Sequence, residues 1–279
     1  MRVFVLALDG LEYLLVRKWG LSNLMQKRYG YFEVLEEYFH RGERVFAPYT
    51  PKIWASLITG KKPSEHGIRS WWTYGRLLDR LRYFPLIKKM RGKRRILWKL
   101  GLKPRIVDRR DLKGPTIFDV VRPSVAVNVM AYNEKAEYRR RPVEAFYRGR
   151  REYEREIWRI HEERKRDTLS ALEEHRDWKL FMTYFDLADW AGHFYRGSHP
   201  LRLMRAYLEL DRLAGELQER VPPGTVFLII SDHGMEPSGD SVTGVHSRRA
   251  FWSLNIDEEW EPRDFVDFFP KIVEWCRDP

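Results

Sequence analysis

The sequence predicts an α/β fold, a three-layer sandwich in which helices cover both faces of a central, mostly parallel sheet. Three observations predict it. Wholly apolar runs at Val3 to Leu8 and Val226 to Ile230 have the length and the β-branched and aromatic content of strands buried on both faces. Such runs alternate with charge-laced stretches of helical period. The strand-like runs end at Asp9, Asp186 and Asp232, and parallel sheets bind ligands in the crevice outside the carboxyl ends of their strands.

Taken in order, Arg2 to Leu8 reads as a buried strand closed by Asp9-Gly10, and Leu14 to Lys27 reads as a helix. Lys52 to Ile58 is helical in character. It follows Thr50-Pro51 and stops at Gly60, which predicts Thr50 as N-cap, Pro51 in the first turn and Gly60 as terminator. Thr116 to Val121 reads as a short helix leading into the strand Ser124 to Met130. Glu144 to Glu174 reads as one long helix with Tyr153, Ile157, Ile160, Leu169 and Leu172 on its apolar side. The strand Trp178 to Phe185 comes next, then an amphipathic helix from Leu201 to Val221, ended by Pro222-Pro223-Gly224. Thr225 to Ser231 is the clearest buried strand, and Phe251 to Asn255 reads as another. There is no internal repeat.

The 279 residues read as a single domain, 1–279, and carry a formal net charge of +11. That charge is concentrated. Between Arg76 and Lys113 stand fifteen Lys or Arg against three Asp, a local balance of +12, and the remainder of the chain is at −1. Residues 75–115 therefore read as a basic insertion or cap. Its surface is either a solvated basic face or one that meets a polyanion such as nucleic acid, or an anionic membrane. Arg76 stands eight residues after Ile68, which ends a block described below, so the Arg76 to Lys113 segment is also expected to fold over the site as a basic lid.

Composition excludes several classes. No run approaches the roughly 20 apolar residues needed to span a bilayer. The opening run is broken at Asp9-Gly10 and lacks a small-residue cleavage site, so it reads as a strand and the protein as cytoplasmic. Cys276 is the one cysteine, which rules out an internal disulfide and a cysteine-rich metal cluster. Any metal must then use histidines and carboxylates. Two Gln and four Asn beside the dense charge match the bias of proteins from hot environments. The oligomeric state is left open.

Candidate ligands are present. Asp232-His233 follows a strand, Asp189 and His193 stand one helical turn apart, and His246 lies in Gly244-Val245-His246-Ser247. Singly, each reads more readily as a hydrogen-bonded pair. Together they are hard and borderline donors of the kind that hold Zn²⁺ or Mn²⁺.

Four blocks then stand in order: Ala7-Leu8-Asp9-Gly10; Thr50 to Gly60, running on to Pro63 and His66-Gly67-Ile68; Asp189-Trp190-Ala191-Gly192-His193; and Ser231-Asp232-His233-Gly234 with His246 beyond. In these blocks the chain resembles the alkaline phosphatase superfamily, most closely its type I phosphodiesterase/nucleotide pyrophosphatase branch. The match runs from residue 5 to about 255 and leaves the basic insertion uncovered. The resemblance implies an alkaline phosphatase-like sandwich and a two-metal phosphohydrolase, a phosphodiesterase or nucleotide pyrophosphatase, acting on a phosphate ester through a covalent phosphoryl-Thr50 intermediate. It implies that Asp9, Asp232 and His233 hold one divalent ion, with Thr50 as its fourth ligand and the nucleophile, and that Asp189, His193 and His246 hold the second. Backbone N–H groups after Thr50 are expected to face the phosphate.

One departure stands out. Nucleotide pyrophosphatases commonly place a phosphate-binding Asn five residues after the His-Gly histidine, and Trp71 occupies that position. Lys52, Arg69 or Arg248 could supply the missing charge, or each could be a plain surface cation. Trp71 and Trp72 are either an aromatic wall for the substrate or core packing. His66 reads as structural, and His40, His161, His175 and His199 as surface residues. The alternatives are a phosphomonoesterase of the same superfamily and a non-catalytic polyanion- or membrane-binding module. A sulfatase is excluded, because no Cys/Ser-x-Pro-x-Arg motif surrounds Thr50.

Overall fold

The structure, a computed structural model, describes residues 1–41, 46–75, 78–79 and 101–277. Most of the segment read as a basic insertion or lid, residues 76–77 and 80–100, therefore lies outside the described residues.

Among the described residues the strands are β1 (Val3–Leu8), β2 (Arg28–Glu33), β3 (Phe39–Arg41), β4 (Phe46–Pro48), β5 (Trp72–Thr73), β6 (Arg105–Ile106), β7 (Ser124–Val127), β8 (Leu180–Phe185), β9 (Val226–Ile230), β10 (Gly234–Pro237), β11 (Gly244–Ser247) and β12 (Arg249–Leu254). Six of them form one sheet in the order β2-β12-β9-β1-β8-β7. β1 runs parallel to β8 and β9, and β7 runs parallel to β8. β12 is antiparallel to both β9 and β2. The expected mostly parallel sheet is thus present, with an antiparallel addition on one side.

Both faces are covered, which is why the central strands carry no polar alternation. Val3, Val5 and Ala7 face a core shared with the helices Thr50–Thr59, Ile117–Val120 and Phe268–Arg277. Phe4, Leu6 and Leu8 face a second core shared with Tyr13–Trp19, Arg150–Glu174, Leu187–Tyr195 and Pro200–Arg220. Register and packing agree. Phe4 stands opposite Phe181 on β8 and Phe227 on β9, and the rings stack at 5.1 and 4.8 Å.

Several elements differ from the sequence reading. The helix expected over Leu14 to Lys27 stops at Trp19, because Gly20 takes a left-handed φ of 62° and caps it. After a short turn at Ser22–Met25 the chain enters β2, an edge strand on which only Phe32 is buried. That strand has no apolar run to reveal it. The long helix breaks at Gly149, at φ 117°, into Ala136–Arg148 and Arg150–Glu174. The strand after Ser124 ends at Val127, where Asn128 turns to φ 53°. Tyr49 is the N-cap of the Thr50–Thr59 helix, so Thr50 is its first helical residue and not its cap. His161, read as a surface residue, is buried, with Nε2 3.3 Å from Glu209. No described helix is long and apolar enough to cross a membrane.

We expect Phe4→Ala to lower the unfolding free energy by about 3–5 kcal/mol in urea denaturation, because it empties the centre of a three-strand aromatic stack. Phe4→Leu should cost clearly less. Equal costs would show that the lost ring contacts, and not the emptied volume, set the penalty.

Candidate functional site

Parallel pairing sets the carboxyl ends of β1, β8 and β9 side by side, and the connections leaving them are laced together. The Asp9 N–H donates to the Phe185 carbonyl at 2.8 Å, and the Asp189 N–H donates to the Asp9 carbonyl at 3.0 Å. The Gly10 N–H donates to Asp232 Oδ1 at 3.3 Å, and the Leu11 N–H to Ser231 Oγ at 2.9 Å. Gly10 permits this closeness. It sits at φ 73°, and a Cβ there would lie 2.6 Å from the Asp189 Cα.

Each predicted ligand has its own support. Asp189 and His193 lie on Leu187–Tyr195 with His193 Nε2 3.3 Å from Asp189 Oδ1. His233 follows β9, and His246 lies on β11, paired with β10. All three rings turn Nδ1 toward a carbonyl oxygen: His233 toward Gly234 at 3.0 Å, His193 toward Gly244 at 3.2 Å and His246 toward Pro48 at 2.9 Å. A carbonyl only accepts, so each Nδ1 carries the proton and the Nε2 lone pair of the neutral ring faces inward.

Inside the crevice the donor atoms crowd. His233 Nε2 lies 3.3 Å from Asp9 Oδ1 and 3.3 Å from Asp232 Oδ2. His246 Nε2 is 3.1 Å from His193 Nε2 and 3.4 Å from Asp189 Oδ1. Asp9, Asp232 and His233 form one set compact enough to hold a metal; Asp189, His246 and His233 form another, with His193 at its edge. The rings of His233 and His246 stack at 3.6 Å, so the sets abut. Thr50 Oγ1 completes the first set, 3.3 Å from His233 Nε2 and 3.5 Å from Asp9 Oδ1. The predicted ligands and nucleophile therefore converge.

The donor set fits a divalent cation. Buried oxygens Asp189 Oδ1 and Asp232 Oδ2 have no hydrogen-bond partner, and the His193 and His246 Nε2 atoms face one another with no proton between them when both rings are neutral. The electrostatics agree. Burial, then the charge of Asp9, pushes the Asp232 carboxyl well above its usual range. Burial disfavours charge on His233, but Asp232 and Asp9 outweigh it and push the ring up to about 10. Burial likewise opposes ionised Asp189, yet His193 and His246 hold it well below the usual carboxylate range. Burial and the neighbouring His233 lower His246. A bound dication would relieve this crowding of donors.

The residues suggested for substrate contact have surroundings of their own. The Lys52 ammonium donates to the Phe39 and Glu37 carbonyls at 2.6 and 3.3 Å. Arg248 pairs with Glu36 at 3.4 Å and lies over the Phe39 ring. Arg69 lines a cleft of about 550 Å³ with Ser70, Trp72, Thr73 and Lys113. Trp71 packs against the core, and the Arg139 guanidinium lies 4.0 Å over its ring. The amides expected to face a phosphate are taken, since Lys52 and Ile53 N–H both donate to the Tyr49 carbonyl. His66, read as structural, is buried; its Nδ1 accepts from the Ile68 N–H, and burial lowers it to about 4.

Sequence reasoning missed Glu12. This buried carboxylate accepts from the Met235 N–H at 3.0 Å, Ser247 Oγ at 2.7 Å and Arg249 Nε at 2.7 Å, tying the end of β1 to both strands of the β10–β11 hairpin. A lone acid among apolar neighbours just after Asp9-Gly10 was its only signal.

The type I phosphodiesterase / nucleotide pyrophosphatase family is matched over residues 3–269. Among solved structures, phosphonoacetate hydrolase from Sinorhizobium meliloti 1021, in complex with phosphonoformate, is 17% identical; the match covers 87% of this chain and 59% of that one, with a TM-score of 0.51. Murine ectonucleotide pyrophosphatase / phosphodiesterase 5 is 15% identical over 86% of this chain and 59% of its own, with a TM-score of 0.47. The chain thus spans about 59% of the length of these solved relatives. No curated protein matches it.

We expect Gly10→Ala to displace Asp189 and to cut the Zn²⁺ retained after reconstitution to roughly half or less of the wild-type content, with the far-ultraviolet circular dichroism unchanged. Elemental analysis after gel filtration reads the result. Full occupancy in the variant would show that the Gly10–Asp189 approach does not shape the site.

Proposed function

The chain belongs to the type I phosphodiesterase / nucleotide pyrophosphatase family, and from that premise we propose that it is a metal-dependent phosphoester hydrolase, cleaving a phosphodiester or a pyrophosphate through a covalent phosphoryl-Thr50 intermediate. One observation carries the reading: the buried Thr50 hydroxyl lies within 3.5 Å of both Asp9 and His233, beside the point where the two donor sets meet. Zn²⁺ or Mn²⁺ held by Asp9, Asp232 and His233 and by Asp189, His193 and His246 would supply Lewis-acid charge, favouring the ionised Thr50 hydroxyl and offsetting charge on the departing oxygen.

The chain's own residues do the rest. The first turn of Thr50–Thr59, clamped by the Lys52 and Ile53 amides on the Tyr49 carbonyl, fixes where Oγ1 stands. Oγ1 attacks phosphorus and gives its proton to solvent. The Oγ–P bond forms as the bond to the leaving oxygen breaks, and that oxygen takes a proton from water. Water then cleaves the Oγ–P bond, restoring the hydroxyl and releasing the phosphate portion of the substrate. Carbonyl contacts at Gly234, Gly244 and Pro48 keep the three Nε2 atoms aimed inward throughout.

We expect Thr50→Ala to reduce turnover of a chromogenic bis-aryl phosphate by about 10³-fold or more while metal content stays near the wild-type value. A variant that kept most of the rate would show that water attacks directly and that no phosphoryl-Thr50 forms. The corresponding aryl monoester, tested beside it, should be the slower substrate; the reverse order would make the protein a phosphomonoesterase.

A further inference from the structure

Under the crevice lies a buried ionic cluster to which the mechanism gives no role. Arg164 Nη2 donates to Glu134 at 2.6 Å and to Asp186 at 3.0 Å. Arg139 Nε donates to both oxygens of Glu134, at 2.9 and 3.1 Å, and Nη1 lies 3.4 Å from Asp186. Trp71 closes one face of the Arg139 guanidinium. Two cations and two anions so arranged balance one another's charge, which is what groups this deeply buried require. The cluster has one further outlet. Arg139 Nη2 donates to the Tyr184 phenol oxygen, and the Tyr184 hydroxyl donates to Asp9 Oδ2.

We propose that Tyr184 and Arg139 are positioning residues that hold Asp9 as a one-oxygen ligand for the ion beside Thr50, an inference that rests on the metal-dependent reading above. Parallel register sets it up, because Tyr184 stands opposite Ala7 and its side chain emerges next to Asp9. The two carboxylate oxygens then have separate tasks. Oδ2 is taken by the phenol, with the Arg139 charge 3.9 Å away. Oδ1 is left facing Thr50 Oγ1 and His233 Nε2. A carboxylate without this hold could rotate or bind through both oxygens, and either change would shift an ion relative to the nucleophile. The anchor behind the phenol does not yield easily, since Arg139 is fixed by Glu134 and Asp186 and stacked on Trp71.

Tyr184→Phe removes one oxygen and keeps the ring packed edge-on against Trp54 at 5.5 Å. In Zn²⁺ and Co²⁺ titrations of the full chain we expect one of the two sites to lose about 10–100-fold in affinity and the other to be unchanged. The visible absorption of the Co²⁺ protein should change for one ion. Urea unfolding of the metal-free variant serves as the control, because a purely structural role would weaken both sites in step with lost stability. That result, or unaltered affinity and spectra, would overturn the proposal. Should Tyr184→Phe fail to fold, Arg139→Lys, which keeps the charge and loses the fork, is read by the same two measures. Wild-type protein that bound neither ion would overturn the metal reading itself, before any substitution is made.

Discussion

The parallel register of β8, β1 and β9 is the constraint on which the rest of this molecule depends. Leu8 pairs with Phe185 and Ala7 with Ile230, so Asp9, Asp186 and the Ser231-Asp232 pair leave the sheet at one level. A slip of one residue on any of these strands would turn its apolar side chains to the other core and carry its acid away from the crevice. The aromatic stack through Phe4 therefore does two things at once. It contributes buried area on one face, and it holds the register that sets where the carboxylates emerge at the far end of the same strands.

Convergence of so many acids and imidazoles creates an electrostatic problem, which the fold answers in two ways. Beneath Asp9, the surplus negative charge of Glu134 and Asp186 is met by Arg139 and Arg164. Among the described residues Asp189 and Asp232 pair with histidines and not with an arginine or lysine, and those histidines turn lone pairs inward whenever they are neutral. The first arrangement is closed, whereas the second is open toward a cation. That contrast, between acids of similar burial with and without a guanidinium partner, separates the structural part of the charge cluster from the part suited to bind metal.

What could be read from the residues follows from how local each signal is. The central strands and the candidate ligand residues were legible because an apolar run ending at an acid, or two donors one helical turn apart, sits within a few positions of sequence. β2 was not, since an edge strand with one buried side chain has no such run, and Gly149 lies within a periodic pattern that continues across it. The site's charge balance was illegible for a different reason. Trp71 stands where the family pattern has an Asn, and the sequence offers Lys52, Arg69 and Arg248 as replacement cations. The guanidinium stacked on Trp71 and 3.9 Å from Asp9 instead belongs to Arg139, on a helix far along the chain. Glu12 shows the same limit, because three of its partners come from β10, β11 and β12 and no spacing predicts those.

These distant partners also explain why loops, and not only strands, can hold the donors still. His246 sits on a two-stranded hairpin that would be marginal alone. Its ring is held by the Pro48 carbonyl just before the Thr50–Thr59 helix, and Glu12 grips the neighbouring Ser247 and the facing Met235 amide. The hairpin, the Thr50–Thr59 helix and the end of β1 are thereby tied to each other as well as to the sheet. A shift in any one of them has to move His246 or Thr50 relative to Asp9, so the positions of Thr50 and the candidate ligands are coupled through buried hydrogen bonds whose loss would leave unpaired polar groups.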